Sequence, residues 1–175
     1  MQHGLEVVQP AAEARPLLSR LIMGEGSELS SEEQKLISFW SYKAALLFQL
    51  LRAPSAQAIP RFRFHELFRL RRAPAEARLW LAASNNPTPM HETSTEVDMV
   101  NVQHRVPGFF SAVFIGDLVI LCAGRISPGP EQVSAGSLGR SSSVIRIWPA
   151  SLRPVNWPPA EPIEDLEAKE LVKLV

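Results

Sequence analysis

Arginines are interleaved with phenylalanines in residues 61–78, and arginine is the residue type best suited to holding an anion. This arginine segment carries six arginines against two glutamates, although the whole chain has a formal net charge of zero. A guanidinium can bind phosphate oxygens through two parallel hydrogen bonds, and aromatic rings can stack on nucleobases. The segment therefore indicates a site for nucleic acid. The candidate binding residues are Arg61, Arg63, Arg69, Arg71 and Arg72.

Two other interpretations of the arginine segment remain open. It can be a surface helix whose phenylalanines face the core, while its arginines face water or pair with the acidic residues of 164–170. Exposed ion pairs of that kind contribute little to stability. Alternatively, the arginines can hold an acidic protein partner.

The chain has no recognisable catalytic or metal-binding motif. Cys122 is the single cysteine, and there is no Cys-x-x-Cys or His-Glu-x-x-His pattern. A zinc site needs several such ligands, so we assign no metal ligand, cofactor or catalytic residue. The remaining candidates for an unrecognised enzyme site are His91, Glu92 and His104. The first two lie in a polar stretch, and His104 falls on the apolar face of a predicted strand.

Length and composition predict one domain without a disulfide framework. The chain has 175 residues, of which 46% are hydrophobic and 21% are charged, so it can bury a substantial core. A lone cysteine favours a reducing compartment, and we expect a cytoplasmic protein. The most apolar run, 108–124, is divided by Gly116 and Asp117, so we expect a hairpin there and no membrane association.

Helical patterns dominate the first part of the chain. We predict helices at about 10–23, 30–52 and 62–72. In the second helix, Ser30 or Ser31 and Glu33 form a capping signal, and Pro54 ends the helix. Apolar residues at three-and-four spacing predict that the buried face of this helix consists of Leu36, Ile37, Trp40, Ala44, Leu47, Phe48 and Leu51.

Period-two alternation follows from about residue 77. We predict strands at 77–84, 98–106 and 144–148, and a hairpin formed by 109–115 and 118–123. Polar composition predicts loops at 85–96 and 124–143. Helices followed by strands predict an α+β fold, with the N-terminal helices packed on a mainly antiparallel sheet and a short C-terminal helix. The expected domain is 1–175, with a helical part at 10–72, a sheet part at 77–149, and a Pro-rich segment with an acidic helix at 150–175.

A shared core is expected between the helices and the strands. Its predicted members are Trp40, Phe48, Leu79, Leu81, Val100, Val102, Phe114 and Val119.

Several sequence patterns in this order resemble a known group of proteins. The stretch 13–18 reads Glu-Ala-Arg-Pro-Leu-Leu, and 29–34 reads Leu-Ser-Ser-Glu-Glu-Gln. They are followed by Trp-x-x-Lys-x-Ala at 40–45, Arg-Leu-Trp-Leu at 78–81, the stretch 114–119 and Trp-Pro-Pro at 157–159. This order resembles the region that follows the zinc-binding nuclease motif in bacterial HNH-endonuclease-like proteins. The HNH motif itself does not occur in this chain.

The resemblance implies a non-catalytic binding module of an HNH-nuclease-like lineage. Its expected partners are DNA or an upstream-encoded HNH-type protein, reached through the arginine segment. The alternatives are a small enzyme with a site near His91 and His104, or a truncated remnant without independent function.

Overall fold

A computed structural model of the chain describes residues 10–52, 59–100, 105–126 and 142–163. These residues form an α+β structure with three helices and antiparallel sheets, as predicted. The predicted C-terminal helix, the position of His104, and residues 127–141 of the second predicted loop lie outside the described residues. The elements are α1 (Pro10–Ile22), β1 (Ser27–Leu29), α2 (Ser31–Leu50), α3 (Phe62–Leu70), β2 (Arg78–Val100), β3 (Arg105–Arg125), β4 (Ile145–Trp148) and β5 (Val155–Trp157).

The predicted start of α2 is confirmed. The amide of Glu33 donates to the Ser30 hydroxyl at 3.3 Å, and the amide of Ser30 donates to the Glu33 carboxylate at 2.9 Å. This reciprocal capping box satisfies amides that have no partner within the helix. The three helices begin and end within about two residues of their predicted limits.

The predicted buried face of α2 is right in part. Ile37 is buried and Leu36, Trp40 and Phe48 pack against the core, but the helix also turns polar side chains inward. Leu47 and Leu51 are 49% and 81% exposed. The buried residues are Gln34, Ile37, Ser38, Ser41, Tyr42, Ala45, Leu46 and Gln49. Buried polar side chains are stable only when hydrogen-bonded.

Tertiary partners explain the inward orientation of Gln34 and Ser38, whereas the buried Ser41 hydroxyl has no described hydrogen-bond partner. The Gln34 amide donates to the carbonyls of Leu29 and Arg153, at 3.1 Å and 3.0 Å, and its oxygen accepts from the Ser151 amide. The Ser38 hydroxyl lies 3.1 Å from the carbonyl of Ile147. Since these partners come from distant parts of the chain, apolar periodicity alone did not identify the polar part of the buried face.

The two long strands β2 and β3 form an antiparallel ribbon. The predicted loop at 85–96 is wrong, because this stretch is part of β2. The predicted hairpin is also wrong, because both of its halves belong to β3. Pairing runs from Arg78 opposite Ala123 to Val100 opposite Arg105. Residues 109–115 and 118–123 therefore pair with β2 and not with each other. Polar composition misassigned 85–96 because a ladder partner, and not an apolar face, keeps that stretch extended.

The ribbon nevertheless changes direction at Gly116, where the hairpin turn was predicted. The amide of Ile126 donates to the carbonyl of Pro107 at 3.0 Å, so the two ends of β3 meet. A straight strand of 21 residues would hold its ends about 65 Å apart. The register of β2 also shifts between Ala83 and His91. Gly116 has φ +57, which a residue without a Cβ adopts at little cost.

Both halves of the folded ribbon turn one face toward the helices. Alternation along β3 changes phase at the bend, so even positions such as Leu118 and Ile120 and odd positions such as Phe109 and Val113 share one apolar cluster. That cluster also contains Leu79, Leu81 and side chains of α1 and α2, and the partly buried Trp40 and Phe48 pack against it.

The opposite face of the ribbon forms a second apolar cluster. It contains Trp80, Phe110, Phe114, Val119 and Ile163, all nearly fully buried. Phe114 and Val119 thus lie on the opposite side of the sheet from Leu79 and Leu81, so the predicted shared core is divided in two. The side chains of Val100 and Val102 lie outside the described side chains.

The last described residues return to both the sheet and the N-terminal helices. Strand β4 pairs with β2, and Ile163 bridges to Ser84 beyond it. Strand β5 pairs with β1, with Ser27 opposite Trp157. None of the described helices is long and apolar enough to cross a membrane.

Replacing Gly116 with alanine tests the bend. A Cβ there would lie 2.9 Å from the Ile22 carbonyl oxygen, in addition to requiring a left-handed backbone. We expect Gly116→Ala to lower the free energy of unfolding by about 2 kcal/mol. Gly26→Ala is the control, because its Cβ would meet only the Trp157 oxygen at 3.8 Å. Urea unfolding followed by tryptophan fluorescence measures both, and equal midpoints would contradict the close approach.

Candidate nucleic-acid interface

The arginine segment begins with the short helix α3, which is held in place by one side of its surface. Leu67 is buried, and Phe64 is partly buried against the apolar cluster between the helices and the ribbon. Arg63 lies one turn before Leu67 and is only 2% exposed. A nine-residue helix is too short to be stable alone, so these contacts position it.

The buried guanidinium of Arg63 joins three parts of the chain. Nη1 donates to the Glu66 carboxylate on the same helix at 2.5 Å, and also to the Glu76 carboxylate in the connection to β2. Nε and Nη2 donate to the carbonyl of Arg125 at the end of β3, at 3.2 Å and 3.0 Å. The charge is thus paired and its donors are satisfied, as a buried cation requires.

Burial shapes the protonation of the groups around Arg63. Burial alone would lower the pKa of Arg63, but Tyr42 and the bonded carboxylates of Glu66 and Glu76 leave it raised. Burial raises the pKa of the Tyr42 phenol and of the Cys122 thiol, while the nearby Arg63 charge acts in the opposite direction on both. Both groups are therefore neutral at physiological pH.

The other four candidate arginines lie on the surface. Arg61, Arg69, Arg71 and Arg72 are exposed, and none of them has an ion pair with a carboxylate among the described residues. Both glutamates of the segment are instead bound to Arg63. The structure therefore separates Arg63, which is inside, from four exposed arginines that have no ion pair with the carboxylates it describes.

The last arginine of the segment, Arg78, also points away from solvent. It is 6% exposed, and its Nη1 donates to the carbonyls of Ala75 and Ala77. Burial first, and then the neighbouring charge of Arg146, lowers the pKa of Arg78. Arg78 is thus part of the support of the segment and not of its surface.

The phenylalanines of α3 do not share one environment. Phe62 and Phe64 are partly buried, whereas Phe68 is 70% exposed. The guanidinium carbon of Arg71 lies 4.5 Å from the centre of the Phe68 ring. Phe68 thus shares the exposed surface with the arginines, and the interpretation in which all three phenylalanines face the core is wrong at this position.

Glu92, a candidate for the enzyme alternative, belongs to a buried polar cluster between α2 and the ribbon. Its side chain is 3% exposed and lies 2.7 Å from Nη2 of Arg52. Gln49 and Ser111 each donate to its other oxygen at 3.0 Å. These bonds attach the end of α2 to β2 and β3, and they occupy the carboxylate. His91 lies opposite Phe114 in the ladder.

This cluster was not identified from the sequence because Arg52 and Glu92 are 40 residues apart. The burial of Arg63 did leave a local signal, since a residue four positions before the apolar Leu67 shares its helix face. Within residues 10–52, 59–100, 105–126 and 142–163, no group of three or more His, Cys, Asp or Glu could hold a metal ion.

Removing the Arg63 charge tests its role as an anchor. We expect Arg63→Met to lower the free energy of unfolding by about 3–5 kcal/mol, because two carboxylates and a carbonyl lose their partner. Arg69→Met makes the same chemical change at an exposed site and should shift stability by less than about 0.5 kcal/mol. Urea unfolding followed by circular dichroism compares them. An equally small loss in both variants would show that α3 is positioned without Arg63.

The reactivity of Cys122 tests the interior beside Arg63. Because burial raises its pKa and excludes reagents, the thiol should resist a disulfide reagent in native protein at mildly alkaline pH. In denaturant the same protein should react with one equivalent at the rate of a free cysteine. Rapid stoichiometric labelling of native protein, with circular dichroism unchanged, would contradict the described burial.

Comparison with known proteins identifies no relative, since no family model, curated protein or solved structure matches the chain.

Proposed function

We propose that the chain is a binding module that holds nucleic acid through the exposed arginines of the segment 61–78. The observation that carries the proposal is the separation of charges in that segment. Arg63 engages both glutamates, and Arg61, Arg69, Arg71 and Arg72 are exposed without a described carboxylate partner. A phosphate backbone is a regular array of anions that such a surface can neutralise.

The rigidity of the support favours binding over a solvated face without function. The helix that carries these arginines is anchored through Arg63 to the carbonyl of Arg125 in the sheet. Arginines on a fixed element lose less freedom when they bind than arginines on an unsupported one. Arg71 and Arg72 directly follow the helix, so they are held beside it.

An acidic protein partner is the competing occupant of the same surface. Four guanidinium groups can bind either phosphates or carboxylates, so experiment has to distinguish nucleic acid from an acidic protein. The lineage implied by the resemblance to HNH-endonuclease-like proteins stays a prediction. A reading frame for an HNH-type protein directly upstream of this one would support it.

Salt dependence and charge reversal test nucleic-acid binding. Anisotropy of labelled single-stranded and duplex oligonucleotides should show affinity that falls with salt, with a logarithmic slope of at most about 4 for four phosphate contacts. Reversal of Arg69, Arg71 and Arg72 to glutamate should reduce that slope by about 2–3 and weaken binding to unrelated sequences alike.

A matched control reverses three exposed basic residues elsewhere, Arg15, Lys35 and Arg153. It makes the same change in net charge and should bind much more tightly than the reversal on the arginine segment. Equal losses in both triple variants would indicate a net-charge effect without a site. No binding to any DNA or RNA at low salt would refute the proposal, and recovery of an acidic protein through the same arginines would replace it.

A further inference from the structure

Phe68 is an exposed aromatic ring placed among the exposed arginines. It is 70% exposed, while Phe62 and Phe64 on the same helix are partly buried. Single exposed apolar side chains are common, so exposure alone identifies nothing. The setting is more specific, because Arg69, Arg71 and Arg72 follow the ring in the sequence and are also exposed.

Arg71 reaches the Phe68 ring from an uncommon backbone conformation. It caps the end of α3 with φ +53, and its amide donates to the Leu67 carbonyl at 3.0 Å. Glycine or asparagine is the usual choice for this left-handed position, because a Cβ is crowded there. The arginine that occupies it has its guanidinium carbon 4.5 Å from the centre of the ring.

The stacked guanidinium leaves ring surface for a ligand. A flat ring has two faces, and one guanidinium covers part of one of them. Since 70% of Phe68 is exposed, the remaining surface is accessible. By contrast, the ring of Phe62 lies 4.8 Å from the buried guanidinium of Arg63 and belongs to the interior side of the helix. Phe68 is therefore the stacking platform of α3.

An unpaired nucleobase matches this platform together with the arginines. Stacking of one base on an aromatic side chain raises affinity by roughly 5- to 100-fold, and neighbouring cations bind the flanking phosphates. Bases in a duplex are already stacked and paired, so they reach such a ring only after leaving the helix.

We propose that the ligand of this surface is single-stranded nucleic acid, with one unpaired base stacked on Phe68 and its flanking phosphates bound by Arg69, Arg71 and Arg72. The inference rests on the proposed function and names the class of nucleic acid. The sugar is not specified by stacking, so single-stranded DNA and RNA share the chemistry.

The test measures binding of labelled oligothymidine, oligouridine and a duplex of equal length. Wild-type protein should bind both single strands at least about tenfold more tightly than the duplex. Phe68→Ala should weaken single-strand binding by about tenfold or more without changing the salt slope, and Phe68→Trp should retain it. Leu152→Ala is the control, because Leu152 is 97% exposed and far along the chain.

An oligomer with the same phosphates but without bases completes the design. Wild-type protein should bind this base-free oligomer as weakly as the Phe68→Ala variant binds oligothymidine. The Phe68→Ala variant should bind the base-free oligomer and oligothymidine equally. Equal binding of duplex and single strands, with no effect of Phe68→Ala, would overturn this inference while leaving the proposed function intact. Absence of binding to every oligonucleotide would refute both.

Discussion

The buried guanidinium of Arg63 determines both where α3 lies and which charges remain at the surface. Its donors reach Glu66, Glu76 and the carbonyl of Arg125, so one side chain connects a helix, a connection and a strand end. A cation that has left water is stable only with such partners. The same bonds engage both glutamates of the segment, so neither is described in an ion pair with the neighbouring exposed arginines. One interaction thus fixes the position of the helix and the pairing of both glutamates.

The inward polar face of α2 has a comparable role for the rest of the fold. Gln34, near the start of the helix, binds the segment before β5, and Gln49, near its end, binds Glu92 and Ser94 of β2. Hydrogen bonds require defined geometry, whereas apolar contacts tolerate sliding. The helix is therefore located along its own axis by its two ends, and the apolar residues between them fill the core.

Local signals in the sequence predicted local structure well. The capping box of α2 and the limits of α3 depend on neighbouring residues, and both were predicted correctly. The buried face of α2 was predicted only in part, because the partners of Gln34, Ser38 and Gln49 are supplied by distant parts of the chain. A change of direction was predicted correctly at Gly116, but the pairing of the residues on both sides of it with β2 was not predicted. For the candidate site, four of the five arginines are exposed, and the exception, Arg63, shares its helix face with Leu67.

The pairing of β1 with β5 has a mechanical consequence. Ser27 lies opposite Trp157 and Leu29 opposite Val155, so the backbone enters one strand and leaves the other at the same end of the small sheet. If the chain were pulled apart at Ser27 and Trp157, the paired residues of the two strands would separate one pair at a time, rather than all together. Gln34 binds the Arg153 carbonyl beyond the opposite end. This hydrogen bond would bear the force last, after the strands have separated.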